Sequence, residues 1–164
     1  MPEWVALAVI CERPTHGFAI ATLTTRTGPV GRVWQIPRPV VYRALGRLLD
    51  AGLITPECVE PGLGPQRTRY RATDAGHRAV EGWLAVPVEH VRDVRSHLLV
   101  KLALLERTGR DRSALLAGQR ARLEPIAEAL ARAEPGPGLD EALLAWRRAC
   151  AGAALAFLDD LSAR

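Results

Sequence analysis

The side chains with the clearest chemical potential are arginines, and their spacing matters more than their number. From residue 13 to residue 49 the chain contains no Asp or Glu but carries Arg13, Arg26, Arg32, Arg38, Arg43 and Arg47. A second acid-free window, 61–73, holds Arg67, Arg69 and Arg71. The second half, by contrast, interleaves acids and bases, so the formal charge of +4 is concentrated near the beginning. Guanidinium groups without carboxylate neighbours bind anions, and phosphate oxygens match their fork of donors. The expected chemistry is phosphate binding along a polyanion.

Other chemistries find less support. His90, Asp93 and His97 share a helix side at i, i+3 and i+7, but two turns is a long reach and no fourth ligand stands near, so no metal is expected. Cys11, Cys58 and Cys150 are scattered and odd in number, which argues against a disulfide framework or a zinc site and fits packed thiols in a reducing cytoplasm. No nucleophile–base constellation or glycine-rich phosphate loop stands in an interpretable context, so neither an enzyme nor a cofactor is expected. With 48% apolar residues in 164, the chain can build one domain, or one small domain with an arm. It shows no uncharged apolar stretch of membrane-spanning length and no secretory leader, so a cytoplasmic protein is expected.

The elements that must carry the arginines follow from apolar spacing and helix punctuation. An apolar run at 4–11 reads as a first helix, ended by Arg13-Pro14. Thr15 is the expected cap of a second helix from 16 to about 26, and Gly28-Pro29 opens a loop. A third helix is expected over 39–51, with Pro39 at its first position and Gly52 just past its end. On it Val41, Ala44, Leu45, Leu48 and Leu49 form one stripe. Arg43, Gly46 and Arg47 lie opposite, with Val40 and Tyr42 at the edges. Two extended runs, 53–60 and 67–73, flank a Gly/Pro cluster and predict a β-hairpin with an irregular tip. Thr68, Tyr70 and Ala72 alternate there with the arginines. Thr73 should cap a helix over 74–85. Beyond Pro87 the pattern is helical: one segment to about 109, a second from Asp111 or Ser113 that Pro125 should kink or split, and a third from 140 to about 162.

Three helices, a basic hairpin and a helix, with the charge on the third helix and the hairpin, are the order of a winged helix-turn-helix. The fold expected is thus mainly α with a small β-hairpin, residues 1–86 forming the winged domain and 87–164 a helical dimerisation arm. In that geometry a helix enters the major groove of duplex DNA and the wing reaches the flanking backbone. The chain also resembles the PadR family of transcriptional regulators. The resemblance rests on Thr15-His16-Gly17-Phe18, on Val41-Tyr42-Arg43-Ala44-Leu45-Gly46-Arg47-Leu48, on Gly52-Leu53-Ile54, on Arg69-Tyr70-Arg71-Ala72-Thr73, and on Trp83-Leu84 before Pro87. It departs where Phe18 replaces the usual Tyr and where two prolines, Pro37 and Pro39, flank Arg38.

The resemblance implies a homodimer, usually a repressor, that a small molecule releases from its operator in some members. It places Tyr42 and Arg43 on the recognition helix and Arg67 and Arg69 in the wing. The full expected DNA-contact set is His16, Arg38, Val40, Tyr42, Arg43, Arg47, Gln66, Arg67 and Arg69. Trp83, Trp146 and Phe157 either pack as core and interface or line an effector pocket. Two rivals remain at this level: a protein-interaction adaptor that kept the winged fold without DNA binding, and a small-molecule carrier built on the helical arm.

Overall fold

In a computed structural model the chain is described at residues 1–60 and 67–163. It divides into two compact units, Met1–Ala85 with Leu99–Arg110, and Val86–Leu98 with Asp111–Arg164. The division expected at residues 86/87 places residues 99–110 in the arm. They fall instead in the first unit, because Val100, Leu102, Leu104 and Leu105 are buried and their helix packs on the first one.

Helix α1 (Pro2–Glu12) is the axis of the first unit. Residues 5–10 are all buried, so the helix is apolar around its whole circumference and is enclosed by its neighbours. Strand β1 (Thr15–His16) is too short to leave any periodic trace in sequence. It draws Thr15 into pairing with Tyr70, so the cap of α2 (Gly17–Leu23) moves from Thr15 to His16. The Ala19 amide donates to His16 Nδ1 at 3.1 Å. Helix α2 ends at Leu23, earlier than expected, because Thr24 turns inward. Its hydroxyl oxygen lies 3.2 Å from each of the Ile20, Ala21 and Ile36 carbonyl oxygens. The following turns fold back on the helix end so closely that a Cβ on Gly31 would lie 1.8 Å from the Thr25 carbonyl oxygen.

Helix α3 (Arg38–Asp50) starts one residue before Pro39 and buries Val41, Ala44, Leu45 and Leu48 against α1 and α2. Gly52 follows it at φ +65°, the left-handed conformation that favours glycine. Strands β2 (Ile54–Glu60) and β3 (Arg67–Ala72) form the wing. With β1 they make a three-stranded antiparallel sheet in the order β1-β3-β2. A register shift between Pro56 and Cys58 lets Pro56 sit in an edge strand. Thr73 caps α4 (Asp74–Ala85) as expected, accepting from the Gly76 amide at 3.1 Å and donating to the Gly52 carbonyl at 2.9 Å.

A π-helical stretch, Val94–Leu98, separates α5 (Val91–Asp93) from α6 (Leu99–Arg107). In the second unit α7 (Ser113–Arg132) packs along α8 (Leu139–Ser162). Pro125 does not split α7, whose helix continues through it. The backbone bond lost at the imino nitrogen is outweighed by packing against α8. Gln119, fully buried, accepts from the Val88 amide at 2.7 Å and donates to the Val88 carbonyl at 2.9 Å.

Candidate nucleic-acid interface

The first unit gathers its cations around one aromatic ring. Phe18, on the first turn of α2, is 40% exposed. The Arg38 guanidinium, from the start of α3, lies 5.3 Å from the ring centroid, and the Arg67 guanidinium, from β3, lies 4.7 Å from it. Recognition helix and wing therefore converge on one spot, no farther apart than the two distances combined. Arg38 also lies 5.6 Å from the Tyr42 ring. Tyr42 leans against Gly17, where a Cβ would approach its Cε1 to 2.9 Å, so the glycine lets α2 and α3 close up and sets the tyrosine. A groove of about 460 Å³ opens beside Phe18, with Arg13, His16, Thr22 and Arg67 among its walls.

The other residues expected to meet DNA divide sharply. Arg43 is exposed and makes no ion pair among the described residues. Gly46, one turn short of the helix end, has open space where a Cβ would stand. Val40 is half-buried at the edge of this face. Arg47 is different: its Nη1 donates to Glu3 Oε1 at 2.6 Å, although the arginine side chain remains 71% exposed. The Glu3 carboxyl is held below its ordinary pKa, first by a backbone N–H in the opening turn of α1 and then by Arg47, against the opposing effect of burial. Arg69 is likewise engaged, donating to the Pro14 carbonyl at 3.2 Å with Glu57 at 3.7 Å. His16 spends one ring nitrogen on capping α2. Gln66 lies outside the described residues.

The expectation of a surface free of carboxylates is thus corrected at three places: Glu3 beside Arg47, Glu57 beside Arg69, and Glu12, paired with Arg107, in the wall of the groove beside Phe18. Acid-free windows in sequence do not see Glu3, 44 residues from Arg47, or Glu57 across the hairpin. Phe18 stands out in sequence only as a departure from the family pattern, and nothing local marks it as the meeting point of two arginines. Its place at the opening of α2, inside the first acid-free window, is the one available signal.

The aromatics expected around an effector do other things. Trp83 stacks on Trp4 with centroids 5.5 Å apart and planes within 2°, and Lys101 Nζ lies 5.0 Å from the Trp83 centroid. Trp83 belongs to the first unit, Trp146 and Phe157 to the second. There Trp146 is 69% exposed and Phe157 half-buried on α8. Trp83 serves the packing of its own unit.

Comparison with known proteins gives a family. The description "Transcriptional regulator PadR-like family" matches residues 6–82, which take in most of α1, helix α3, the wing and most of α4. Those residues form a PadR-like family domain. That family is described as one of transcriptional regulators, and a winged helix-turn-helix is an architecture suited to duplex DNA. Among solved structures, this PadR-like chain is similar to Bacillus subtilis PadR in complex with operator DNA, with 19% identity, a TM-score of 0.49, and 97% of this chain and 96% of that one covered. It is also similar to smu.1604c from Streptococcus mutans UA159, with 16% identity, a TM-score of 0.47, and 99% and 98% covered. A third similar structure is Bacillus subtilis PadR in complex with p-coumaric acid, with 17% identity, a TM-score of 0.47, and 98% and 96% covered. No curated protein matches. Among the described residues no helix is long and apolar enough to cross a membrane.

Proposed function

We propose that this PadR-like chain is a sequence-specific, homodimeric transcriptional repressor whose operator binding is modulated by a small molecule. The observation that carries the DNA reading is the convergence of Arg38 and Arg67 on Phe18, which joins the start of the recognition helix to the wing as one cationic surface. Arg43 continues that surface along α3 with its charge unpaired among the described residues. In this reading α3 lies in the major groove, Arg43 and Tyr42 face base edges or the adjoining phosphates, and Arg67 contacts the flanking backbone.

Homodimerisation is supported by α8, where Leu139, Leu143 and Trp146 fall at i, i+4 and i+7 and are all exposed large apolar side chains. A dimer would set its two recognition helices on a pseudo-palindrome, with half-site centres about one helical turn, roughly 34–36 Å, or a multiple apart. The effector part rests on the resemblance to PadR-like regulators. A cavity of about 410 Å³ in the first unit, lined by Cys11, His77, Glu81, Leu84, Leu104 and Arg110 among others, offers the space there.

Selection of bound sequences from random duplex DNA tests the reading directly and also reports half-site spacing. On the selected site, Arg43→Ala or Arg67→Ala should weaken binding and reduce the slope of log K against log salt by about 0.9 for each phosphate no longer neutralised. Unchanged affinity and slope in both variants would remove these residues from the DNA-facing surface.

A further inference from the structure

The ion pair between Glu3 and Arg47 ties the recognition helix to a carboxylate from a different element. Its setting makes it more than an incidental surface contact. Arg47 follows Arg43 by one helical turn on the same face, so a duplex that meets Arg43 passes Arg47 at about 6 Å further along α3. Gly46 between them leaves the surface open to close approach. Glu3 is held in the first turn of α1, whose residues 5–10 are buried, so its backbone is fixed by the core of the first unit. It is the less exposed partner, 28% against 71% for Arg47. Arg47 can move; Glu3 holds its ground.

We propose that Glu3 is an intramolecular competitor for the phosphate Arg47 would otherwise bind, so that the pair fixes the edge of the DNA footprint and suppresses sequence-independent binding. This rests on the DNA-binding reading above. Phosphate contacts are blind to sequence and supply nearly all non-specific affinity, whereas base contacts discriminate. A carboxylate that removes one phosphate contact therefore weakens binding to every duplex alike, and it lowers the large background of competing sites. Glu3 is in these terms a positioning residue: it acts on DNA through Arg47, not by contact.

The test is a pair of variants read by salt dependence. Glu3→Gln keeps the length and helix compatibility of the side chain and removes its charge. It should raise affinity for random-sequence duplex and steepen the slope of log K against log salt by about 0.9, one additional phosphate. In an Arg47→Ala background the same Glu3→Gln change should leave the slope where it is, because the guanidinium on α3 that would take up the extra phosphate is gone. A merely structural role for the pair would alter thermal unfolding without steepening the salt slope. An unchanged slope for Glu3→Gln, with Arg43→Ala still lowering it, overturns the competitor role alone. Failure of the unaltered chain to bind duplex at low salt overturns the DNA reading and this proposal together.

Discussion

Replacing Phe18 should weaken DNA binding without removing any charge. Its ring carries the Arg38 guanidinium at 5.3 Å and the Arg67 guanidinium at 4.7 Å. An exposed cation–π interaction contributes about 0.5–1 kcal/mol, so the two together hold roughly 1–2 kcal/mol of order in the cationic surface. Side-chain entropy gives a similar figure: two long side chains left unfixed before binding cost about 0.5–1.5 kcal/mol each when DNA immobilises them. Phe18→Leu keeps apolar bulk on α2 and loses the quadrupole. Its affinity for the selected operator should fall roughly five- to thirtyfold per protomer, the equivalent of 1–2 kcal/mol. The salt slope should stay at the wild-type value, because both guanidinium charges are still present to displace counterions. Phe18→Tyr, which retains the π face, should bind like the unaltered chain. Gel-shift titration of the three proteins at two salt concentrations decides the matter. A Phe18→Leu protein that binds as tightly as wild type would refute the view that the ring pre-arranges the arginines. One with a reduced slope would show instead that a guanidinium no longer reaches its phosphate.

Gly46→Ala separates helix stability from DNA approach: with nothing within 4 Å of the added Cβ it should stabilise the fold by about 0.5–1 kcal/mol in urea unfolding, yet lower operator affinity if the duplex lies close to α3 there. Gln119→Leu strands both the amide and the carbonyl of Val88 in a buried site, and should cost about 2–4 kcal/mol in the same assay. Lys101 is 3% exposed, and burial lowers its pKa from 10.5 to about 8. Between those values the unfolded chain binds more protons than the folded one, so stability should rise as pH goes from about 8 to 10.5. Lys101→Met should flatten that rise, and pH-dependent urea unfolding of the two proteins checks it by difference.

The parts of the fold that are legible in sequence are those governed by local spacing. The apolar stripe of α3, the glycine at its end and the Thr73 cap follow from the 3.6-residue period and from capping chemistry, and the structure contains each of them; the alternation along β3 holds except at Arg69, which is half-buried. What escapes is set by distant partners. Two residues of β1 carry no period, yet their pairing with Tyr70 and Arg69 shifts the α2 cap from Thr15 to His16. The π-helical turn at Val94–Leu98 keeps nearly the same apolar spacing as an α-helix, so the pattern cannot announce it. Pro125 obeys its local cost but is overruled by the long packing seam between α7 and α8. At the interface the arginines themselves are legible and their partners are not, since Glu3, Glu57 and Phe18 reach them only through the fold.

Those partners determine what each arginine can give to DNA. An ion pair neutralises a guanidinium: Arg47 and Arg69 are paired at the expense of the net charge that attracts phosphate. An aromatic face orders a guanidinium and leaves its charge intact, as Phe18 does for Arg38 and Arg67. Like charges brought together on one small surface repel, and a carboxylate is the usual remedy; a ring quadrupole is the remedy that keeps the surface cationic. The chain uses rings where α3 begins and meets the wing, and carboxylates where α3 ends and along the wing at Glu57. The gradient of usable charge therefore runs from the N-terminal turn of α3, where a recognition helix meets base edges, toward its shielded end. On the DNA-binding reading proposed above, this gradient, more than the total of +4, would orient the helix on a polyanion.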